Sequence, residues 1–234
     1  MNMKSLIFDA GPVISLTTNN LLWLLEPLKG IFKGEFQIPP AVKVELVDRP
    51  LQSHRFKFEA LQVMNIIRSG VFSVVENPNI KLLAEELLDL ANHTFKTRGN
   101  WLTIFHYAEM EVLASAIVLN ASAVVIDERT TKQLVESPNA LQKTLEENMR
   151  SKVFVNQQNL DKIRNWVKSV RVIRSVELAV IAYEKGLLNN YIPDEKDAKK
   201  TLVESLLWGV KLRGCAVSRP EIDEIVRLET AQKS

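Results

Sequence analysis

The sequence predicts an α/β fold, a three-layer sandwich with a central parallel sheet, helical insertions and a helical C-terminus. Short apolar runs alternate with longer stretches of helical periodicity. No two-residue hairpin signal joins any two of the runs, so successive strands are expected to be connected by helical crossovers. The length of 234 residues suits a single domain with additions over two independent ones. A content of 46% hydrophobic and 25% charged residues is that of an ordinary folded chain, which excludes disordered, collagenous and coiled-coil classes.

Residues 5–8 read as the first strand, followed by Asp-Ala-Gly-Pro and a helix over 13–28. Residues 36–38 form the second strand, closed by Pro39-Pro40. Pro40 opens a helix over 42–46, because a first-turn proline loses no hydrogen bond, and Pro50 ends it. Helices over 56–68 and 81–95 surround Gly70 and a strand over 71–75. Segment 106–119 is apolar on nearly every side, the mark of a buried helix, and a strand over 123–126 follows, ending at Asp127. A helix is expected over 130–149, an edge strand over 153–155, a helix over 160–167 and a last strand over 170–173. Ser175 caps a helix over 176–185 that Gly186 stops. Helices over 194–213 and 219–229 close the chain, the second opened by the capping box Ser218-Arg-Pro-Glu221.

One cysteine, Cys215, and three scattered histidines, His54, His93 and His106, provide neither an internal disulfide nor a tetrahedral zinc site. A reducing cytoplasm is the expected location. No signal peptide is expected, and no apolar run reaches the ~18 residues of a membrane span.

In a parallel sheet, ligands gather beyond the carboxyl ends of the strands. Asp9 follows the first strand and Asp127 the 123–126 strand, so both acids fall on that edge. Glu45 lies in the helix after the second strand, and Glu109 and Glu111 in the first turns of the buried helix. Each acid alone also reads as a cap or a solvated helix residue. Together they form an oxygen-rich cluster whose natural occupant is a hard cation, Mg²⁺ or Mn²⁺. Residues two apart on a helix point about 200° apart, so Glu109 and Glu111 cannot both face the site.

The segments LIFDAGPVISL, IPPAVKVEL and AEMEVLASAIVLNASAVVIDERT resemble the PIN domain, the fold of many metal-dependent ribonucleases, including toxins of toxin-antitoxin pairs. The resemblance covers residues 4–48 and 106–136. VRVIRSVELAVIAYEKGLL is similar to the last strand and helix of one branch of nucleic-acid-binding proteins and toxin-like ribonucleases. On this reading residues 1–234 are one PIN-like domain, with insertions at 51–105 and 137–169 and a helical extension over 187–234. The resemblance implies an endoribonuclease that hydrolyses RNA phosphodiester bonds, with Mg²⁺ or Mn²⁺ held by Asp9, Glu45, Glu109 and Asp127. Family spacing to Asp127 favours Glu109, with Glu111 as the alternative ligand. Glu128 becomes an outer ligand and Arg129 a phosphate contact. Ala10 and Gly11 stand where many members carry Ser or Thr, which leaves open a catalytically weak or inactive PIN-fold protein that binds RNA or a protein partner. An antitoxin-like partner and a homodimer are further implications of the resemblance.

The net charge of +2 conceals an uneven distribution. Residues 150–174 hold seven basic residues and the single acid Asp161, leaving 23 basic and 27 acidic residues elsewhere. Arg164, Lys168, Arg171 and Arg174 in that segment are candidates for phosphate contacts, while Trp166 reads as core. Gly209 and Gly214 have P-loop spacing, but Cys215 stands where lysine is required, and no Gly-x-Gly-x-x-Gly follows the first strand, so nucleotide and dinucleotide chemistry are not expected.

Overall fold

β1 (Ser5–Phe8) is buried along its whole length, and Asp9 turns the chain into α1 (Ala10–Thr18). The computed structural model describes residues 4–192, 194 and 196–231. The helix expected over 13–28 is divided: Asn20 takes a left-handed backbone (φ 56°), and a 3₁₀ turn (Leu22–Leu24) leads into α2 (Leu25–Phe32). β2 (Glu35–Ile38) then runs to Pro39, and α3 (Pro40–Lys43) opens on proline as expected. Pro50 does not end the helical segment. A π-helical turn (Val44–Asp48) carries it into the short α4 (Arg49–Leu51), with Arg49 N–H donating to the Val44 carbonyl five residues back. Widening the helix there accommodates a proline that has no N–H to donate.

α5 (Lys57–Arg68) returns the chain to β3 (Phe72–Val74), and α6 (Pro78–Asn92) follows. The 81–95 segment is helical only to Asn92, since β4 (Phe95–Thr97) and β5 (Asn100–Trp101) form a hairpin that the sequence reading lacked. Arg98 (φ 49°) and Gly99 (φ 85°) both take positive φ, the requirement of a type I′ turn. β7 (Phe154–Val155) pairs antiparallel with β4, so the strand expected over 153–155 borders this small second sheet and not the main one.

α7 (Tyr107–Val118) is buried on most sides, as its composition requires, and feeds β6 (Ala123–Val125). The helix expected over 130–149 divides into α8 (Arg129–Glu136) and α9 (Pro138–Met149), because Pro138 pushes Ser137 out of helical geometry (φ −151°, ψ 66°). α10 (Gln157–Val167), β8 (Val172–Ile173) and α11 (Ser175–Glu184) follow in the expected order. A 3₁₀ turn (Asn189–Tyr191) precedes α12 (Ala198–Leu212), which starts later than the expected Asp194; Pro193 and Glu195 lie outside the described residues. α13 (Arg219–Thr230) has the Ser218–Glu221 capping box.

The main sheet is parallel with strand order β3-β2-β1-β6-β8. Residues 51–105 therefore contribute a strand of this sheet, β3, and are not only an appendage. Phe8 packs against Phe36 (tilted) and Phe72 (edge to face) with ring centroids 5.0 Å apart in each pair, tying β1, β2 and β3 together on one face. A smaller apolar cluster around Val203, Leu207, Val210 and Ile222 joins α12 and α13 to α11 through Val176. Among the described residues, no helix is long and apolar enough to cross a membrane.

Candidate metal centre

The parallel register decides which acids meet. Asp9 N–H donates to the Val125 carbonyl (3.0 Å), so the residue after β1 sits beside the end of β6, two residues before Asp127. Asp9, Glu45, Glu109, Asp127 and Glu128 all line one cleft of about 340 Å³ at this edge, together with Ala10, Gly11, Ile14, His106, Ala108, Arg213 and Gly214.

Asp9 is 6% exposed and N-caps α1, where its carboxylate accepts a long hydrogen bond from Gly11 N–H (3.5 Å). No ion pair to Asp9 exists among the described residues. Burial, reinforced by the charges of Glu109 and Glu45, pushes its carboxyl up to about 7 against the lowering effect of the Ala10 and Gly11 amides.

Glu109 is placed from the other side. Asn92, at the end of α6, accepts hydrogen bonds from Ile104 N–H (3.0 Å) and Phe105 N–H (3.1 Å), fixing the chain as it enters α7. Glu109 then closes a capping box by accepting from His106 N–H (3.1 Å). Burial pushes its carboxyl up to about 7 as well, and the neighbouring Glu128 and Glu45 add to the effect. Glu45 projects from the π-helical turn and meets Arg49 at 3.7 Å. Glu128 N-caps α8 by accepting from Thr131 N–H (2.6 Å).

Asp127 is the most heavily bonded of the five. Its carboxylate accepts from Ser175 N–H (2.7 Å), Ser175 Oγ (2.7 Å) and Ser15 Oγ (3.0 Å), and its backbone carbonyl accepts from Ala216 N–H (2.9 Å). It thereby ties together α1, α11 and the loop after α12. Burial, with Asp127 nearby, pushes the Cys215 thiol up to about 12, which leaves it protonated and inert at neutral pH.

Glu111 does not line the cleft. It is buried on another face of α7, where it accepts from Ala41 N–H (2.8 Å) and from the Tyr107 hydroxyl (3.3 Å), satisfying a first-turn amide of α3 that has no partner within its helix. The 200° separation leaves the cleft to Glu109.

The basic residues of the 150–174 segment are mostly elsewhere. The Arg171 carbonyl accepts from Val124 N–H (2.8 Å), so Arg171 lies beside β6 on its amino side. Three residues of strand, roughly 10 Å, separate that level from Asp127. Lys168 is the exposed C-cap of α10, and Arg164 pairs with Asp161 at 3.7 Å. Arg174 does reach the carboxyl edge, but it is buried and committed to Glu177, Glu221 (3.2 Å) and the Ala216 carbonyl (2.7 Å). It fastens the C-terminal helices and is not free for a phosphate. Trp166 packs half-buried against the core, as expected. Arg129 is exposed next to Glu128.

Ser15 and Arg213 escaped the sequence reading: Ser15 carries no motif of its own, and Arg213 belongs to a helix end far along the chain. Ser175, expected as the cap of a helix over 176–185, is instead the first residue of α11, with Arg174 at the N-cap, because its amide and hydroxyl are given to Asp127. Ser15 and Ser175 are fully buried and reach the cleft only through Asp127.

The donor set is all oxygen and acidic, which suits Mg²⁺ or Mn²⁺. As the side chains stand, no group of three or more His, Cys, Asp or Glu among the described residues is arranged to hold an ion, since Glu109 faces its own helix cap and Glu45 faces Arg49. The carboxylates share a cleft without yet forming a coordination shell.

A family profile described as PIN domain matches residues 5–142, more than half of the chain. No curated protein and no solved structure gives a significant match. With its parallel sheet, its helical layers and this match, the chain belongs to the PIN-domain family.

Proposed function

We propose that this protein is a Mg²⁺- or Mn²⁺-dependent endoribonuclease. The observation that carries the reading is the gathering of Asp9, Glu45, Glu109, Asp127 and Glu128 around one cleft at the carboxyl edge of a PIN-type sheet. Burial raises the carboxyls of Asp9 and Glu109, and the charges of neighbouring glutamates in the same cleft add to it. Asp9, Glu109 and Glu45 are the residues to hold a divalent ion, which supplies an activated water and neutralises charge on the phosphoryl oxygens when bound. Asp9 is the anchor because its carboxylate is buried and nearly unpaired. Glu109 and Glu45 would hold the ion with it in exchange for their present partners, the His106 amide and Arg49. Asp127 holds the strand ends, α1 and α11 in register around the cleft, and Glu128 lies at the rim.

The test is incubation of the purified protein with single-stranded RNA and Mn²⁺. Expected results are fragments that EDTA abolishes and a rise in melting temperature on adding Mn²⁺ alone. The absence of both fragments and a melting shift would refute the reading. A second reading, a PIN-fold protein that binds RNA or a protein partner without cutting, is favoured by the commitment of Glu109 and Glu45 to other partners. RNA binding with neither Mn²⁺ uptake nor cleavage would select it.

The two acids of α7 separate structural from metal roles. Glu111→Ala is expected to lower stability by ~1–3 kcal/mol through the loss of the Ala41 and Tyr107 bonds. Its Mn²⁺ affinity should stay within about twofold of wild type. Glu109→Gln should keep most of the stability and lose Mn²⁺ affinity by ~10-fold or more. Urea unfolding and calorimetric Mn²⁺ titration of both variants measure this, and the reverse pattern would assign the ligand to Glu111.

A further inference from the structure

We propose that the small sheet β5-β4-β7 is a second binding surface, separate from the carboxylate cleft, which stacks bases of an unpaired nucleic-acid strand on Trp101 and Phe154 and holds its phosphates with Lys96, Arg98, Arg150 and Lys152. None of these residues lines the cleft. The surface is independent of the nuclease reading and stands whether or not the cleft takes up a metal ion.

The register of the sheet brings the side chains together. Lys96 of β4 is paired with Trp101 of β5 on one side and with Phe154 of β7 on the other. Directly paired residues of antiparallel strands share a face, with Cβ atoms about 5 Å apart. Trp101, Lys96 and Phe154 therefore form one row across the outer face. The inner face serves the fold: Phe95 of β4 and Val153 beside β7 are fully buried, and Thr97 and Leu102 nearly so. The outer face of a sheet packed on one side ordinarily carries polar residues. Here Trp101 is 40% exposed and Phe154 59% exposed, so folding alone does not account for the two rings.

Each ring is accompanied by a cation. Lys96 Nζ lies 5.1 Å from the centroid of Trp101, and Lys152 Nζ lies 5.4 Å from that of Phe154. His93 meets Trp101 edge-on, with centroids 5.7 Å apart. The hairpin turn is tied to the segment before β7, since Thr97 Oγ1 donates to the Lys152 carbonyl (2.9 Å) and Arg98 Nη2 to the Met149 carbonyl (3.5 Å). Those bonds gather Arg98, Arg150 and Lys152, all exposed, at one rim of the sheet. Arg150 and Lys152 belong to the basic 150–174 segment, most of which has no place at the cleft.

Charge identifies the occupant. Residues 93–101 and 148–160 contain no acid. Lys96, Arg98, Arg150 and Lys152 form no ion pair among the described residues. Two neighbouring acids are already engaged, Asp89 by His93 Nδ1 (3.1 Å) and Glu146 by Val153 N–H (3.0 Å). Exposed rings in a row with unpaired cations match a partner that alternates π-faces with phosphates, which is unpaired nucleic acid. A duplex keeps its base faces stacked, and a second copy of this face would set four unpaired cations against four. An acidic peptide would leave the rings unused, and β5 and β7, two residues each, are too short to pair with an added strand.

The experiment uses the full chain carrying Asp9→Asn, in EDTA, so that the probe stays intact and no metal bridges it. Fluorescence anisotropy follows a labelled single-stranded RNA of about 12 nucleotides, its duplex with the complement, and a labelled poly-glutamate of similar charge. The single strand is expected to bind at least tenfold tighter than either. Trp101→Ala and Phe154→Ala should each weaken it roughly tenfold, and Trp101→Phe, which keeps a ring, should retain most of the affinity. Lys152→Ala should reduce the slope of log K against log salt by about 0.7. Melting temperatures should match the parent's; if Trp101→Ala fails to fold, Phe154→Ala and Lys152→Ala decide. Equal binding of duplex or poly-glutamate, or variants that bind like their parent, would overturn the proposal. So would Phe154→Ala converting a dimer to a monomer with RNA affinity unchanged, since the face would then be a protein interface. Mn²⁺ uptake by the wild type is scored separately: uptake with unaffected variants rejects this surface and keeps the nuclease reading, whereas variant-sensitive binding without uptake or cleavage does the reverse.

Discussion

Asp9→Asn is expected to abolish Mn²⁺-dependent RNA cleavage and, in metal-free buffer at pH 8, to melt at a higher temperature than wild type. The two effects have one cause. Asp9 is nearly unpaired in a buried position, and its carboxyl is pushed up to about 7 from an ordinary 3.8. Between those values the folded protein binds more protons than the unfolded chain, so stability falls as pH rises from about 4 through about 7 and stays low above. Glu109, raised to about 7 in the same cleft, adds to the same trend. A shift of ~3 units corresponds to at most ~4 kcal/mol. A gain of ~1–3 kcal/mol is therefore expected from the neutral amide, at ~2–4 °C per kcal/mol for a chain of this size. Mn²⁺ should raise the wild-type melting temperature at pH 8 and leave the variant unchanged, because the charge that costs stability is the charge that binds the ion. Scanning calorimetry at pH 5 and pH 8, with and without Mn²⁺, measures all four conditions. A variant less stable than wild type at pH 8, or one that still cuts, would mean that Asp9 is a cap and not a ligand.

The contrast among the acids follows how far each was legible in the sequence. Asp9 and Asp127 were legible because β1 and β6 are apolar runs that end on them, and parallel strands share an edge. Glu109 over Glu111 followed in part from helix geometry, but the actual partner of Glu111, the Ala41 amide, lies 70 residues away and leaves no local trace. Arg174 misled for the same reason. Its charge is visible in a basic segment, whereas its partners Ala216 and Glu221 are contributed by another part of the chain. The β4–β5 hairpin was missed because its strands are two and three residues long and half polar, and its turn is Arg-Gly in place of the common Asn-Gly. Pro50 reads as a terminator in the sequence because proline's missing N–H is a local fact, while the π-helical turn that accommodates it packs against α5 and α1. Local chemistry was thus readable wherever backbone periodicity governed it, and unreadable wherever a buried polar group was satisfied from a distance.

Asp127→Ala is expected to cost ~3–5 kcal/mol, a large part of the ~5–15 kcal/mol that stabilises a typical domain. Three donors converge on this carboxylate, and both Ser15 and Ser175 are fully buried. Truncation leaves the Ser175 amide and hydroxyl without acceptors and the Ser15 hydroxyl with only the Arg213 carbonyl at 3.5 Å, at ~1–3 kcal/mol for each group that water cannot reach. Asp127→Asn keeps the shape. Its carbonyl oxygen can accept from the Ser175 amide, and its amino group can donate to hydroxyls that rotate to accept, so a loss of only ~1–2 kcal/mol is expected. The pair of variants then separates bracing from ligation. If Asp127 acts by holding α1, α11 and the Ala216 loop around the cleft, Asp127→Asn should weaken Mn²⁺ by ~10–100-fold, the usual cost of disturbing the groups that orient a metal site. Asp9→Asn should remove measurable binding altogether. Equal and complete loss in both would show that Asp127 contacts the ion directly. Unfolding midpoints that do not differ between Asp127→Ala and Asp127→Asn would show that the three hydrogen bonds contribute little and that the strand ends are held by packing alone.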